Sequence, residues 1–373
     1  MKYAQLLLFS FMALTLAIFF GTHYFFYYLI VAFFVVTNIT VQHVLLSVIM
    51  FLSVSFILAT LAAHFREGIV TRKFYFLSGF WMGLFLNLLL AVIFSWLITV
   101  IISWAGFSAN PVILGSLLFA LALAYSLYGA WNAFNPRITD IQITIKNLPE
   151  WWRGKNIVQL SDVHLGHVYR ANFLEKVVKT VNSLHPEMIV ITGDLFDGMD
   201  GNLDGLVGPL ENLRVSDGIF FITGNHETYL GIDKTFSILE KTQVAILDDA
   251  VKNIRGLQLV GISYPERGES KDIVKVMEAL PGFEKNKPTI LLYHSPVQID
   301  TIKNSGVDLQ LSGHTHAGQL FPLGLITRLV YKGYDYGLRT LGDFSIYTSN
   351  GVGTWGPPMR TGNTPEIVNI TLR

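Results

Sequence analysis

Long apolar runs joined by short connectors fill the first third of the chain, and shorter apolar runs, each ending in a polar motif, punctuate the remainder. Runs near residues 4–20, 43–63, 76–101 and 111–133 each approach or exceed the roughly 20 residues that cross a bilayer as an α-helix. Four membrane helices are the predicted minimum. Residues 24–37 (YFFYYLIVAFFVVT) are also uncharged, and either extend the first helix, form a short fifth one, or lie at the interface with their tyrosines. From Ile138 the pattern changes. ITDIQITIKNL alternates as a strand does, and then β-rich runs alternate with helical stretches. The pattern predicts an N-terminal polytopic α-helical anchor of four or five helices over residues 1–135, followed by an α/β domain over residues 136–373.

Charge sharpens this division. Of the 27 basic and 27 acidic residues only Lys2, Arg66, Arg72, Lys73 and Glu67 precede Pro136, which leaves 23 basic and 26 acidic residues after it, a net of about −3. Tight binding to a phosphate backbone needs a clustered basic surface, so no nucleic-acid partner is expected. There are no cysteines, which excludes disulfides, palmitoylation and a lipoprotein anchor. The connector HFREGIVTRK holds Arg66, Arg72 and Lys73, whereas AGFSAN holds no charge, so by the positive-inside rule the first is cytoplasmic. Two further spans return the chain to that side, and the α/β domain is predicted to be cytoplasmic. Lys2 followed by an apolar run has the look of a secretory signal, but no small-x-small cleavage site follows, so a retained anchor is expected. The spans carry no Asp, Glu, Lys or Arg, and lack the ionisable pairs of an ion pathway. His43 and Asn87 are expected in helix contacts or at the interface.

Five motifs carry the candidate chemistry: SDVH (residues 161–164), GDLFD (193–197), GNHE (224–227), YHSP (293–296) and GHTH (313–316). NIVQL, MIVIT, GIFFIT, TILLY and VDLQLS precede them as predicted strands, which puts every motif at a strand's carboxyl end, where open α/β sheets gather ligands. Carboxylate, amide oxygen and imidazole together suit manganese, iron or zinc. An aspartate shared by two cations can hold them about 3.5–4 Å apart, close enough to bind both oxygens of a phosphate. Glycines before Asp194, Asn225 and His314 are expected to let the chain turn sharply. Asp-x-His or Gly-His-x-His alone would be weak; all five in order point to a two-metal phosphoesterase.

The region from about Pro136 to Arg373 resembles the calcineurin-like metallophosphoesterases, specifically the membrane-anchored bacterial subgroup in which GHTH is followed by Ala/Gly-Gly-Gln. The resemblance extends to the segment before SDVHLGH and to the closing SNGVGTWGPPMR. It implies a four-layer α/β/β/α sandwich of two mixed sheets with two divalent metals at one edge. Asp162, His164, Asp194 and His316 would hold one, and Asp194, Asn225, His294 and His314 the other, with Asp194 bridging. The implied mechanism is in-line attack by a metal-bridging hydroxide. His226 would be general acid or hydrogen-bond donor to the leaving oxygen, oriented by the Asp197 carboxylate. Arg360, in GPPMR, would either meet a phosphate in bidentate fashion or be an ordinary surface or packing arginine. By the same resemblance the protein is a bacterial inner-membrane phosphohydrolase acting on a phosphodiester or pyrophosphate, with a lipid-linked substrate of UDP-diacylglucosamine or phospholipid type favoured. Soluble nucleotides or small esters are the alternative. A non-enzymatic receptor or scaffold is opposed by the complete ligand set.

Other residues have plainer readings beside functional ones. His167 either touches substrate or is an exposed loop residue, and His185 is expected at a surface helix end. Asp200 and Asp204 lie in DGMDGNLDG, whose spacing fails for a calcium loop and suits a solvated turn. Trp151 and Trp152 either form an interfacial belt or pack in the core. Residues 321–337 (FPLGLITRLVYKGYDYG) either face the bilayer and admit a lipid-linked phosphate, or form a buried strand and turn.

Overall fold

The computed structural model describes residues 2–108, 110–199 and 203–373, so Asp200 lies outside the described residues. The chain divides into two compact units, Met1–Tyr128 and Gly129–Arg373.

The first unit is built from α1 (Lys2–Phe33), α2 (Ile39–Phe65), α3 (Ile69–Trp104) and all but the last turn of α4 (Pro111–Ala133). These contain apolar spans of 21, 27, 36 and 22 residues, each long enough to cross a bilayer. The open question over residues 24–37 resolves as an extension of the first helix as far as Phe33, α1 running unbroken through Gly21, Thr22 and His23. In hydrocarbon a polar side chain needs a partner within the protein. Asn87 accordingly donates to Ser126 Oγ at 2.8 Å, both groups buried, while His43 is exposed. His23, which sequence patterning left outside the first span, lies within α1: it contacts its own Phe19 carbonyl at 2.8 Å, accepts from Trp81 Nε1 at 3.2 Å and stacks on Phe85 at 3.7 Å.

The second unit holds twelve strands among the described residues: β1 (Arg137–Ile143), β2 (Asn156–Leu160), β3 (Met188–Thr192), β4 (Ile219–Ile222), β5 (Val244–Ile246), β6 (Ala250–Ile254), β7 (Leu257–Gly261), β8 (Thr289–Leu292), β9 (Leu309–Ser312), β10 (Gly337–Leu341), β11 (Phe344–Thr348) and β12 (Glu366–Leu372). Its further helices are α5 (Ala171–Ser183), α6 (Asp204–Val207), α7 (Asn225–Leu230), α8 (Ile232–Leu239), α9 (Ile273–Ala279), α10 (Ile299–Ile302) and α11 (Gly324–Val330). One six-stranded sheet runs β1-β12-β2-β3-β4-β5 and the other β10-β11-β9-β8-β7-β6. Both are mixed: β2 to β5 are parallel with β12 antiparallel to β2, and β11, β9, β8 and β7 are parallel with antiparallel β10 and β6 at the edges.

The period of two along each strand builds the layers. Val158, Leu160, Ile189, Ile191 and Phe221 face the cluster formed with Leu174, Val177 and Val181 of α5, while Ile157, Val190, Phe220 and Ile222 face the other sheet. From that second sheet Leu257, Leu259, Ile290, Leu292, Leu309 and Leu311 enter the same central core. Its outer face carries Val260 and Leu291 against Ile273, Met277 and Ile302 of α9 and α10. Strands covered on both faces read as unbroken apolar runs, which is why MIVIT and TILLY were conspicuous in the sequence. The result is the expected α/β/β/α sandwich. Beneath the strand ends Gln159, fully buried, donates to Thr192 Oγ1 at 3.0 Å and across the sandwich to the Ser312 carbonyl at 2.9 Å.

Several plain readings are decided here. Trp152 is a core residue with Nε1 bonded to the Ile254 carbonyl at 3.0 Å, and Trp151 is half-exposed beneath the Arg255 guanidinium at 4.2 Å. His185 is exposed beyond the end of α5, and Asp204 is an exposed partner of Lys241 at 2.9 Å. His167 is buried rather than an exposed loop residue. Residues 321–337 do not form a buried strand and turn: their middle is α11, a helix in which no residue is buried.

Candidate metal centre

Two sheets deliver the candidate ligands from their carboxyl ends. The first supplies Asp162 and His164 after β2, Asp194 and Asp197 after β3, and Asn225 and His226 after β4; the second supplies His294 after β8 and His314 and His316 after β9. The segments after β2 and β3 are laced together, His164 N donating to Asp194 O at 3.1 Å and Asp197 N to Leu165 O at 2.9 Å. Asp162, His164, Asp194, His314 and His316 all have positive φ, between 48° and 75°. L-residues avoid this region, and its concentration at one site is characteristic of strain held for function.

The donor atoms form two groups. Around His294 Nε2 lie Asp194 Oδ2 at 3.1 Å, Asn225 Oδ1 at 3.2 Å and His314 Nδ1 at 3.2 Å. Because His294 Nδ1 donates to the Thr192 carbonyl at 2.8 Å, its Nε2 presents a lone pair to the group when the ring is neutral. In the second group His164 Nε2 and His316 Nε2 approach to 3.1 Å, with Asp162 Oδ1 3.4 Å from His316 Nε2 and 4.0 Å from His164 Nε2. Asp194 Oδ2 reaches this group too, 4.0 Å from His164 Nε2. Lone pairs facing each other repel unless a proton or cation lies between them. Ligands about 2.1 Å from one cation at right angles sit about 3 Å apart, the spacing found here, so the donor set fits divalent metals.

Electrostatics among the donors show how tightly they are coupled. Burial opposes a charge on His294, but Asp194 beside it prevails and raises the ring to about 9. Burial likewise opposes the Asp194 charge, yet His294 holds that carboxyl well below the usual range. His314 is driven down to about 3 by burial and then by His294, while burial, His164 and Arg360 keep His316 far below its ordinary value. Neutral rings are the form that binds metal.

The glycines act differently from one another. Gly193 does take a left-handed φ of 91°, as expected of a sharp turn. Gly224 and Gly313 do not: a Cβ on Gly224 would strike Asp194 Oδ1, and one on Gly313 would strike Ser161 Oγ and Asp162 Oδ2. Those two are required for space, a need invisible before the strands are packed side by side.

One role assignment changes and one open choice is decided. The Asp197 carboxylate does not orient His226; it lies 3.6 Å from His164 Nδ1, because the link between Asp197 N and Leu165 O draws it to that side. His226 Nδ1 instead donates to the Asp197 carbonyl at 2.9 Å. Arg360 is not placed to bind a phosphate. It is fully buried, donates to the Gly353 carbonyl and to Asn363 Oδ1 at 2.7 Å, and lies 3.1 Å from His316 Nδ1. Its loop folds beneath His316 and turns every nitrogen inward.

We therefore expect Arg360→Lys, which keeps the charge but loses the fork, to lower stability by about 1–3 kcal/mol through unmatched carbonyls. It should also weaken metal binding at the His316 group by about 10–100-fold. Metal titration and KM of the fully loaded variant check this. A raised KM at unchanged metal affinity would return Arg360 to the substrate.

Glu227, to which sequence reasoning gave no role, is fully buried and accepts from the backbone amides of Gly224, Asp194 and Phe196 at 2.7, 2.9 and 3.0 Å. One carboxylate thus ties the loop bearing Asn225 to the loop bearing Asp194. Its place at the end of GNHE was the only signal. Beside the centre, a groove of 660 Å³ is lined by Lys271, Pro296, Gln298, Tyr331 and Lys332. Tyr331 also packs 6.2 Å from the His314 ring.

The family profile described as calcineurin-like phosphoesterase matches residues 155–318. A Helicobacter pylori protein described as an uncharacterized metallophosphoesterase is 35% identical over 250 residues, 65% of this chain and 66% of its own length. A Danio rerio protein described as a transmembrane protein with metallophosphoesterase domain is 31% identical over 287 residues, 72% of this chain and 64% of its own. An Aquifex aeolicus uncharacterized metallophosphoesterase is 35% identical over 259 residues, 68% of this chain and 98% of its own. The chain thus spans just under two thirds of the Helicobacter and Danio relatives and nearly all of the Aquifex one. With 35% identity over that whole relative, and a profile match running from β2 to the residues just past the last motif, the chain belongs to the calcineurin-like phosphoesterase family.

Proposed function

We propose that the protein is a membrane-anchored, two-metal phosphohydrolase that cleaves a phosphodiester or pyrophosphate, with lipid-linked esters of the UDP-diacylglucosamine or phospholipid type as its favoured substrates. The observation that carries the reading is the meeting of lone-pair atoms from both sheets at Asp194, 3.1 Å from His294 and 4.0 Å from His164. Asp162, His164, Asp194 and His316 would hold one manganese, iron or zinc ion, and Asp194, Asn225, His294 and His314 the other. Such a pair supplies Lewis-acid charge to the phosphoryl oxygens and lowers the pKa of water.

The protein's own groups position and move protons. Glu227 holds two ligand loops in register, and Arg360 lies against His316 Nδ1 at 3.1 Å. Hydrolysis forms one P–O bond to water and breaks another, and the leaving oxygen needs a proton. His226 lies beside both ligand groups, its ring 4.6 Å from that of His164, with Nδ1 occupied by the Asp197 carbonyl. That leaves Nε2 for the leaving oxygen. Burial and then His164 lower its pKa, so protonation is expected to accompany arrival of the anionic substrate.

Four apolar helices on the same chain support a substrate confined to the bilayer, since tethering raises its effective concentration. The basic connector between α2 and α3 supports a cytoplasmic site, and the Helicobacter and Aquifex sources of two relatives support a bacterial inner membrane. The test is turnover by the detergent-purified, manganese-loaded full chain on a matched panel: an aryl phosphodiester, a phosphomonoester, a cyclic nucleotide, a nucleotide-linked diacyl sugar and phosphatidyl lipids. Activity confined to the acylated members is expected. Preference for the soluble esters would make the helices a matter of location only, and inactivity with both metals bound would turn the reading toward a receptor.

A further inference from the structure

Immediately after His316 the chain enters a surface with an unusual composition. Leu325, Ile326, Leu329 and Val330 of α11 are 65%, 58%, 80% and 65% exposed, and Phe321 and Trp355 join them at 45% and 60%. A globular domain rarely leaves so many large apolar side chains together in water. Positions 325, 326, 329 and 330 fall on one helical stripe, the pattern of a helix that buries one face. Arg328 and Lys332 are exposed beside it, and residues 317–334 contain no acidic residue.

The patch is also held rigidly. The Gln319 side chain donates to the Trp355 and Pro357 carbonyls at 3.0 and 2.9 Å and accepts from Trp355 N at 3.0 Å, so the Trp355 loop and the segment leading to α11 form one ledge. That ledge adjoins the last turn of α4, which belongs to the same compact unit. Gly129 O accepts from Arg360 N at 2.9 Å, Asn132 donates to the Arg360 and Asn363 carbonyls at 3.0 and 2.8 Å, and Thr361 Oγ1 in turn accepts from Phe321 N at 3.2 Å. Within this unit Gly129 is therefore two hydrogen bonds from Phe321.

We propose that α11, with Phe321 and Trp355, is a second membrane contact: its apolar stripe lies in the boundary between headgroups and acyl chains, with Arg328 and Lys332 against anionic headgroups. Helices of this make-up bury their apolar face about 5–10 Å into that boundary. The exposed cations beside the stripe, with no acidic residue over 317–334, select an anionic bilayer over a protein partner as the occupant. The contact does not depend on which ester is cleaved, though it would bring the lipid surface to Tyr331 and so beside His314.

Because the chain contains no cysteine, a single introduced one can be labelled cleanly. Bimane is attached to Leu329→Cys, to Trp355→Cys and, as an exposed control on α5, to Lys179→Cys, in the full chain reconstituted into nanodiscs of phosphatidylcholine and phosphatidylglycerol. Metal content verifies that each variant is folded. Shallow nitroxide lipids should quench the labels at 329 and 355 several-fold more than the one at 179, and iodide in solution should show the reverse order. Labels at 329 and 355 as open to iodide as that at 179 would overturn the proposal, as would labels there reached by neither quencher, since that surface would then be covered by protein.

Discussion

Asp194→Asn is expected to empty both metal positions together and to lower turnover by about three orders of magnitude or more, since the metals carry several kcal/mol of transition-state stabilisation. The substitution preserves the shape of the side chain and an oxygen for the His226 amide, which Asp194 Oδ1 accepts at 2.9 Å. What it removes is the charge that both ligand groups share. Asp162→Asn is the comparison: its carboxylate meets the His164 and His316 group, the Ser161 hydroxyl and the His314 amide, so the site around His294 should keep its ion. Metal content per chain, measured alongside turnover, separates the two cases. If Asp194→Asn retains one full equivalent, the shared-ligand assignment fails.

His226→Ala should leave the metals in place and still lose about 10²–10⁴-fold in kcat, the usual contribution of a positioned proton donor. The loss should depend on the leaving group, being largest for alkyl oxygens and much smaller for an aryl oxide that departs without a proton. A rival outcome is built into the geometry, because His226 comes close enough to His164 and Asp194 to complete a third possible ligand group. Metal loss in proportion to activity, with no leaving-group dependence, would make His226 a ligand.

Much of the site was legible because its chemistry is local to short motifs. Each predicted strand ends within a residue or two of its polar motif, and a strand buried on both faces must read as an apolar run that stops where its ligand begins. Arg360 was not legible. GPPMR carries no sign that its loop passes beneath His316, and an arginine gives the same letter whether its fork meets a phosphate or, as here, the carbonyls of Gly351, Gly353 and His316. Asp197 illustrates the same limit within one residue: the motif GDLFD places it at the site, but whether its carbonyl or its carboxylate meets a given histidine depends on how the β2 and β3 loops bond across to each other. Gly224 and Gly313 look like turn formers in sequence and prove to be clearances for Asp194 and Asp162.

Residues 321–337 show the limit from the other side. Their hydropathy was as readable as that of any strand, and the alternatives were a buried strand or a face toward lipid. Burial is a relation between segments, so composition could not choose between them; with β10 and β11 filling the sheet edge, α11 has no layer left to pack beneath. By itself the sequence determined at least four apolar helices, an α/β domain and a set of metal-binding side chains, because periodicity and donor chemistry are properties of short segments. The tertiary structure alone decided that donors from two sheets meet at Asp194, that Arg360 and Glu227 serve the ligands from behind, and that an apolar ledge stands open next to His316, because each of these is set by distances between residues far apart in the chain.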